Sequence, residues 1–176
     1  MSSQIQEYRT YRSQQFSLIA CAADFMETYE KAGFPMTRIE EHKGKSLWND
    51  NQVNTCYVFK RTIQGALMME DYRYYYVFHI KEWNKYWSTE ENADRSSKRG
   101  RLGCTLPFDW IVDMLNDVNR RKVACFVIVT PDKFYYMTVE DARKYYKTYG
   151  IFPSEKFGVE MIGIEKEKML DHDPLL

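Results

Sequence analysis

The chain has no excess of charge of either sign. Its 176 residues include 25 lysines and arginines and 25 aspartates and glutamates, so the formal net charge at pH 7 is zero. Proteins that coat nucleic acid through bulk positive charge carry a clear surplus of basic residues. That class is therefore excluded, but two local basic patches remain, at residues 95–101 (RSSKRGR) and at Arg120, Arg121 and Lys122.

The chain also lacks the common metal-binding and phosphate-binding motifs. Its four cysteines show no CxxC spacing, its three histidines form no HExxH motif, and no glycine-rich phosphate loop follows a predicted strand. Cys21 and Cys125 lie within apolar runs, which indicates buried free thiols in a reducing compartment. His42 and His172 lie in polar segments, and we predict that both are solvated surface residues.

Long hydrophobic runs are absent as well. No apolar stretch approaches the roughly 20 residues of a membrane-spanning helix. Residues 1–12 are polar and contain no apolar core of the kind found in signal peptides. We therefore expect a cytoplasmic protein that does not contact a membrane.

The length of the chain favours a single domain with a sizeable core. No internal repeat is present. We assign residues 1–15 to a polar N-terminal arm, residues 16–164 to one α/β domain, and residues 165–176 to a charged C-terminal tail.

Three segments have the apolar periodicity of amphipathic helices. They are residues 16–32, which end before Gly33 as a helix stop, residues 107–121, which begin at Pro107, and residues 139–149, which follow Thr138 as an N-cap.

Short β-branched and aromatic runs predict the strands. They are residues 34–40, 53–62, 74–80, 123–129, 134–137 and 158–164. The run 123–129 (VACFVIV) is continuously apolar, which is typical of a strand buried on both faces. Residues 41–52 and 82–103 are polar, so we predict loops there, with a turn near residues 70–73. Together these helices and strands predict a single-domain α/β fold with a mixed sheet flanked by helices.

The central segment is residues 71–83 (DYRYYYVFHIKEW). Alternation along its strand places His79 and Lys81 on one face, with Phe78 and Ile80 on the other. An ionisable pair at the end of a strand beside a buried apolar face indicates a site. The other interpretation is an ordinary strand that reaches solvent at its end.

This segment and those after it resemble the RecU-type Holliday-junction resolvases of the PD-(D/E)XK nuclease superfamily. The sequence VFHIKEW is similar to the family's strand ending in Glu-x-Lys-Glu, and a polar loop (RSSKRGRLGCTLPF), a helix (DWIVDMLNDVNRR) and the strand VACFVIV follow it. Residues 16–40 are also similar to the family's opening helix and the strand after it. The resemblance implies the restriction-endonuclease-like fold and a role on branched DNA in recombination and repair. It also implies a homodimer, since the family acts as symmetric pairs.

The sequence departs from the family where the metal would bind. The resemblance implies an Asp on one strand and the acid of Glu-x-Lys on the next. Here His79 occupies the acid position, Lys81 and Glu82 match the family's lysine and following acid, and residues 63–67 (IQGAL), where the Asp is expected, contain no acid. Because Mg²⁺ requires oxygen ligands, the metal-dependent chemistry is expected to be lost, with no cofactor.

An active alternative requires an unusual ligand set. Glu70 and Asp71 could hold Mg²⁺ or Mn²⁺ together with His79 if a tight turn brought the three residues together. In that case the chain is a metal-dependent endonuclease in which Lys81 steadies the attacking water.

Nucleic-acid contacts are predicted from the basic residues. Lys60 and Arg61 lie on one strand, and Arg95, Lys98, Arg99 and Arg101 belong to the polar loop. Such side chains contact phosphates, and nearby aromatic rings can stack on bases. The loop could equally be a solvated segment without a ligand.

Three functions therefore remain open. The first is a RecU-like protein that binds branched or duplex DNA without cutting it. The second is a protein-interaction module, such as an inhibitor or accessory factor, which the zero net charge and 14 tyrosines favour. The third is the active nuclease.

Overall fold

The computed structural model describes residues 19–45, 53–65, 67, 69–80, 83, 102–149, 152–154 and 159–176. The helices are α1 (Ile19–Lys31), α2 (Phe108–Asp117) and α3 (Val139–Tyr149). The strands are β1 (Met36–Lys45), β2 (Val53–Gln64), β3 (Glu70–His79), β4 (Gly103–Pro107), β5 (Val123–Val129), β6 (Phe134–Thr138), β7 (Phe152–Ser154) and β8 (Val159–Glu165). A short 3₁₀ turn (Lys166–Lys168) follows β8.

A five-stranded mixed sheet forms the centre of the molecule, in the order β1-β2-β3-β5-β6. Strands β3 and β5 are parallel, and the other neighbours in this sheet are antiparallel. A smaller antiparallel sheet has the order β4-β8-β7. The predicted mixed α/β sheet with helices is thus confirmed.

Side chains of β3 and β5 alternate between two hydrophobic clusters. Tyr76 and Phe78 of β3 pack in a cluster with Ile111 of α2 and Ala142 of α3. Tyr75 and Val77 belong to a second cluster that includes residues of α1. Strand β5 contributes to both clusters, which confirms that it is buried on both faces. In the described part of the chain, no helix is long and apolar enough to cross a membrane.

The predicted ends of two helices are also confirmed. Gly33 has φ +91°, and its N–H donates to Glu30 O at 3.0 Å. This left-handed conformation closes α1 as the glycine stop requires. At the start of α3, the N–H of Asp141 donates to Thr138 Oγ1 at 3.1 Å, which is the expected N-cap bond.

Strand β1 is longer than predicted. Residues 41–45 were expected to begin a loop, but they pair with β2 in register from Glu41 opposite Tyr57 to Lys45 opposite Val53. Cross-strand pairing with a long neighbour outweighs the weak local preference of these polar residues. The register shifts once, between Arg38 and Glu40, so that Ile39 forms a bulge.

Strand β3 begins earlier than predicted. Glu70 pairs with Gln64 and Asp71 with Ile63, so the expected turn at residues 70–73 is strand. The turn lies just before it, where the N–H of Gly65 donates to Met69 O at 2.7 Å.

The C-terminal residues 165–176, expected as a charged tail, pack against the main sheet. Met169 is buried, and Leu170 exchanges two backbone hydrogen bonds of 2.8 Å with Tyr136 of β6. Asp173 is the key residue because its Oδ2 accepts hydrogen bonds of 2.6 Å from the hydroxyls of both Tyr29 and Tyr75. Charge along the sequence did not indicate this burial, since the partners of Asp173 are distant in the chain.

Arg61 completes this buried network. Its Nη1 donates to Tyr75 Oη at 3.0 Å and lies 3.8 Å from Asp173 Oδ2. The hydroxyl hydrogen of Tyr29 is used in its hydrogen bond to Asp173, so in the 3.0 Å contact between Tyr29 and Tyr136 the donor is Tyr136. Burial, followed by the contacts with Tyr136, Tyr75 and Asp173, raises the pKa of Tyr29 well above the ordinary tyrosine value. Burial and Asp173 do the same for Tyr75 and outweigh Arg61, which lowers its pKa. The tyrosines are therefore neutral donors to one carboxylate.

We predict that Asp173→Asn lowers the free energy of unfolding by about 3 kcal/mol, because it leaves the buried Arg61 without a counter-charge. Asp171→Asn is the matched control, since the side chain of Asp171 is 66% exposed. Urea unfolding of the three proteins measures the effect. Equal midpoints for both variants would show that Asp173 does not hold the C-terminal segment in place.

Candidate functional site

His79, the predicted site histidine, is the last residue of β3 and is buried. Its ring stacks on Tyr57 with 5.9 Å between centroids and 10° between planes. Burial lowers the pKa of His79 to about 4, so the imidazole is neutral at pH 7. Its Nδ1 has no hydrogen-bond partner among the described residues. His79 is thus an interior side chain and not the solvent-reaching end of a strand.

The segment expected to supply an aspartate does not lie beside His79. Ile63 and Gln64 pair with Asp71 and Glu70, at the opposite end of β3. The strand has ten residues, so its two ends lie roughly 30 Å apart. The neighbours of His79 in the sheet are Val129 of β5 and the first part of β2, where Cys56 pairs with Phe78. Among the paired residues there, no side chain is a carboxylate.

The alternative ligand set of Glu70, Asp71 and His79 is not assembled, because the two acids begin the strand that His79 ends. Hydrogen bonds from Arg73, from the Tyr72 amide and from Lys122 hold the pKa of Asp71 far below its usual range. Glu70 accepts a hydrogen bond of 2.8 Å from the Tyr72 hydroxyl. Across the described ranges, no three His, Cys, Asp or Glu side chains are grouped to hold a metal ion. Lys81 and Glu82 lie outside the described residues.

The predicted phosphate-binding residues fall into two groups. Arg61 is buried in the Asp173 network, with its guanidinium 4.1 Å from the centre of the Phe34 ring, so its surroundings give a phosphate no access. Lys60 is half-buried, and its Nζ lies 4.7 Å from the centre of the Tyr72 ring. The other four, Arg95, Lys98, Arg99 and Arg101, lie outside the described residues.

The described cysteines offer no nucleophile. Cys56, Cys104 and Cys125 are free thiols, and all three are buried. Burial raises the pKa of Cys104 to about 12 and raises those of the other two further. A thiol must ionise to attack, so these residues serve packing.

The sequence did not indicate an open cleft of about 250 Å³, which we call the α2 cleft. It lies on the α2 face of the main sheet. Its lining residues come from β1, β3, α2 and the turn after α2, and they are Glu40, His42, Tyr76, Asp113, Asn116, Asp117 and Arg120.

His42 lies between two carboxylates in this cleft. Its Nδ1 is 3.1 Å from Asp113 Oδ2, and its Nε2 is 3.3 Å from Glu40 Oε2. The ring centroid is 5.7 Å from that of Tyr76, and 26% of the side chain is exposed. We expected a solvated surface residue. The structure instead holds the imidazole at both ring nitrogens.

Asp117, which lines the cleft, is the centre of a hydrogen-bond network that includes Arg121. The buried carboxylate of Asp117 accepts hydrogen bonds from the Tyr76 hydroxyl at 2.8 Å, from Arg120 at 2.8 Å and from two nitrogens of Arg121. Arg121 also donates to Glu40 Oε1 at 2.8 Å, which links the turn after α2 to β1. The basic patch predicted at residues 120–122 is therefore largely neutralised, since Lys122 pairs with Asp71.

These contacts keep the carboxyl groups of Glu40 and Asp117 ionised. Burial alone would raise the pKa of Glu40 and of Asp117, but the hydrogen bonds from Arg121, with those from His42 and Tyr76 respectively, outweigh it. Both pKa values lie below the ordinary range, so both groups are carboxylates at pH 7. Burial alone would lower the pKa of Arg121, but the hydrogen bonds to Asp117 and Glu40 outweigh it and raise that pKa above the ordinary value.

The spacing of these residues was the signal that could have found the cleft. Glu40 and His42 are two apart on one strand, which places them on one face. Asp113, Asp117 and Arg121 follow each other at four-residue intervals along a helix and its end. Because residues 41–52 were predicted as a loop, the alternation across Glu41 was not recognised.

Comparison with protein-family models, with curated proteins and with solved structures found no match to this chain.

We predict that His79 makes the fold sensitive to acid. Its pKa is about 4 in the folded protein and about 6.5 in the unfolded chain. The free energy of unfolding is therefore unaffected by His79 above pH 6.5 and decreases as the pH falls from 6.5 to 4, because the unfolded chain binds a proton that the folded protein does not. The two values correspond to about 3 kcal/mol of unfolding free energy. His79→Phe keeps an aromatic ring on Tyr57 but cannot ionise.

Urea unfolding of the wild type and of His79→Phe at pH 7 and pH 4 measures this effect. The stability difference between the two proteins should change by about 3 kcal/mol in favour of the variant at pH 4. His172→Gln, at a side chain that is 66% exposed, should follow the wild type at both values. An equal loss of unfolding free energy between pH 7 and pH 4 in the wild type and in His79→Phe would contradict the prediction.

Proposed function

We propose that this chain is a nuclease-like domain that binds nucleic acid, branched DNA in particular, and does not carry out metal-dependent cleavage at His79. One observation carries the proposal. At the end of the central strand, where the resemblance places a metal-binding acid, the chain has a buried and neutral imidazole stacked on Tyr57.

The order of elements supports the nuclease-like part of the proposal. Helix α1 precedes three antiparallel strands, and β5 follows α2 and pairs in parallel with β3. This is the same succession on which the resemblance to the RecU-type resolvases rests. By that resemblance we also propose that the protein acts as a homodimer, and the buried free thiols favour the cytoplasm.

The surroundings of His79 support the loss of the metal chemistry. A hard divalent cation binds oxygen ligands and needs several of them. The side chains next to His79 in the sheet are apolar or aromatic, as Val129 and Tyr57 show. A charged imidazole or a cation placed there would meet the same low-polarity environment that lowers the pKa of His79.

The basic residues 95–101 belong to the connection between β3 and β4, of which the structure describes Ile80, Trp83 and Leu102. On one side, the Trp83 ring packs edge-on against Tyr135 with 5.1 Å between centroids. On the other, Leu102 O accepts a hydrogen bond of 2.9 Å from the N–H of Lys166, whose Nζ lies 5.5 Å from the centre of the same ring. The described parts of the connection are thus held by Tyr135 and Lys166, and we propose that its basic residues contact the DNA phosphates.

We predict that the wild type binds a labelled four-way junction, duplex DNA and single-stranded DNA with an affinity that falls as salt rises. Replacing Arg95, Lys98, Arg99 and Arg101 together by Gln should weaken binding and flatten the salt dependence. On duplex DNA the slope should decrease by about 0.9 for each phosphate that the variant no longer neutralises. Fluorescence anisotropy at several salt concentrations gives both quantities.

The matched control removes four exposed charges elsewhere, at Lys31, Lys133, Arg143 and Lys144. It should bind as the wild type does. Absence of salt-dependent binding to any of the three DNAs would refute the DNA-binding proposal. Cleavage that requires Mg²⁺ or Mn²⁺ and is abolished in Lys81→Ala would refute the loss of metal chemistry.

A protein-interaction module is the second candidate, because large apolar side chains are exposed at the β2–β3 turn. Leu67 is 91% exposed and Met69 is 69% exposed, whereas most large apolar side chains of the described residues are covered. Exposed apolar groups in close sequence mark contact surfaces. On this hypothesis the turn, and not the basic connection, is the functional surface.

We predict for this candidate that a partner retained after nuclease treatment no longer binds the double variant Leu67→Ser, Met69→Ser. Ile39→Ser is the control, at an apolar residue of β1 that is 37% exposed. A pull-down with the three proteins measures retention. Equal retention by the double variant and the control would rule out the β2–β3 turn as the contact surface.

A further inference from the structure

The α2 cleft places two proton carriers side by side. Glu40 Oε2 and His42 Nε2 are 3.3 Å apart, and both belong to strand β1. On the far side of the imidazole, Asp113 Oδ2 is 3.1 Å from Nδ1 and orients the ring. A carboxylate that orients a histidine, whose other nitrogen faces the reacting groups, is a recurring arrangement in general acid–base catalysis.

The same cleft has a guanidinium at its surface. The Arg120 side chain is 72% exposed, and its Nη2 donates to Asp117 Oδ1 at 2.8 Å. A guanidinium has five N–H donors in a planar fork that suits the oxygens of a phosphate. Arg121 is different, because its guanidinium is already bonded to both Asp117 and Glu40.

The arrangement suits proton transfer better than the binding of a cation. The two nitrogens of His42 face two different carboxylates, so the imidazole and both acids do not converge on one point. Glu40 is ionised at pH 7, since the hydrogen bonds from Arg121 and His42 lower its pKa against the effect of burial. One group can therefore accept a proton while its neighbour, the imidazolium form of His42, donates one.

We propose that the α2 cleft cleaves RNA by general acid–base catalysis, with Glu40 as the base, His42 as the acid and Arg120 on the phosphate. The proposal rests on the proposed function in one respect, which is that the chain binds a polynucleotide. RNA is the substrate class because its 2′-hydroxyl is a nucleophile attached next to the phosphate, which raises its effective concentration.

The step balances without an added reagent. Glu40 takes the proton of the 2′-hydroxyl, and the 2′-oxygen forms a bond to phosphorus. The bond from phosphorus to the 5′-oxygen breaks, and protonated His42 gives its proton to that oxygen. The products are a 2′,3′-cyclic phosphate and a free 5′-hydroxyl. The proton on Glu40 then passes to His42 across their 3.3 Å contact, which restores the pair.

The test uses a labelled RNA, the same RNA with 2′-O-methyl groups, and DNA of the same sequence, all in EDTA. His42→Gln and Glu40→Gln remove the acid and the base. His172→Gln and Glu41→Gln are the matched controls at solvent-facing side chains of the same types. Thermal unfolding of every variant shows that it is folded, and anisotropy with the same oligonucleotides reports binding separately.

We expect the wild type to cleave only the unmodified RNA and to leave 2′,3′-cyclic phosphate ends. His42→Gln and Glu40→Gln should each decrease the rate by about 10²–10⁴-fold while still binding RNA, and the controls should cleave as the wild type does.

Binding without cleavage would overturn this inference and leave the proposed function standing, whereas absence of binding to all the nucleic acids would overturn both. Cleavage of the 2′-O-methyl RNA, or equal cleavage by His42→Gln and the wild type, would also overturn it.

Discussion

The strict alternation of side chains along β3 is the constraint on which the rest of the structure depends. Tyr76 and Phe78 face α2, whereas Tyr75 and His79 face the α1 side. Because β3 is paired on both sides, by β2 and by β5, its register cannot shift without breaking two ladders. A slip of one residue would turn every β3 side chain to the opposite face of the sheet. Tyr75 and Tyr76, which bond Asp173 and Asp117 in the present register, lie on opposite faces, so one register sets both the buried polar network and the α2 cleft.

The two networks are chemically alike but differ in access to solvent. Each has one buried aspartate that accepts hydrogen bonds from tyrosine and lies beside an arginine, with Asp173 and Arg61 on one face and Asp117 and Arg121 on the other. The Asp173 network is closed by the C-terminal segment, so it holds the chain together. The Asp117 network opens on a cleft with the half-exposed groups Asp113 and His42, so its ionised groups can meet a ligand. Similar polar chemistry thus serves structure on one face and a candidate site on the other.

Local pattern was enough to predict most elements but not the polar contacts. The apolar run of β5, the glycine after α1 and the threonine before α3 each act through near neighbours, so the sequence alone located them. Arg61, His42 and Asp173 were misjudged because their partners lie far along the chain, and a charged residue is expected to be exposed until its partner is known. The prediction of a loop at residues 41–45 was wrong for a related reason, since β2 supplies the hydrogen bonds that their own composition does not favour. His79 was located on the correct strand, but its burial depends on Tyr57 and β5.

The bulge in β1 has a consequence for how copies of this protein can meet. In the part of the chain that the structure describes, β1 is at one edge of the five-stranded sheet and pairs only with β2. A straight edge would present a continuous row of backbone donors and acceptors to another molecule. Here Ile39 interrupts the row, and Arg38, Glu40 and Glu41 place charges of both signs around it. Stacking of sheets edge to edge, the route to ordered aggregates, is therefore disfavoured along β1.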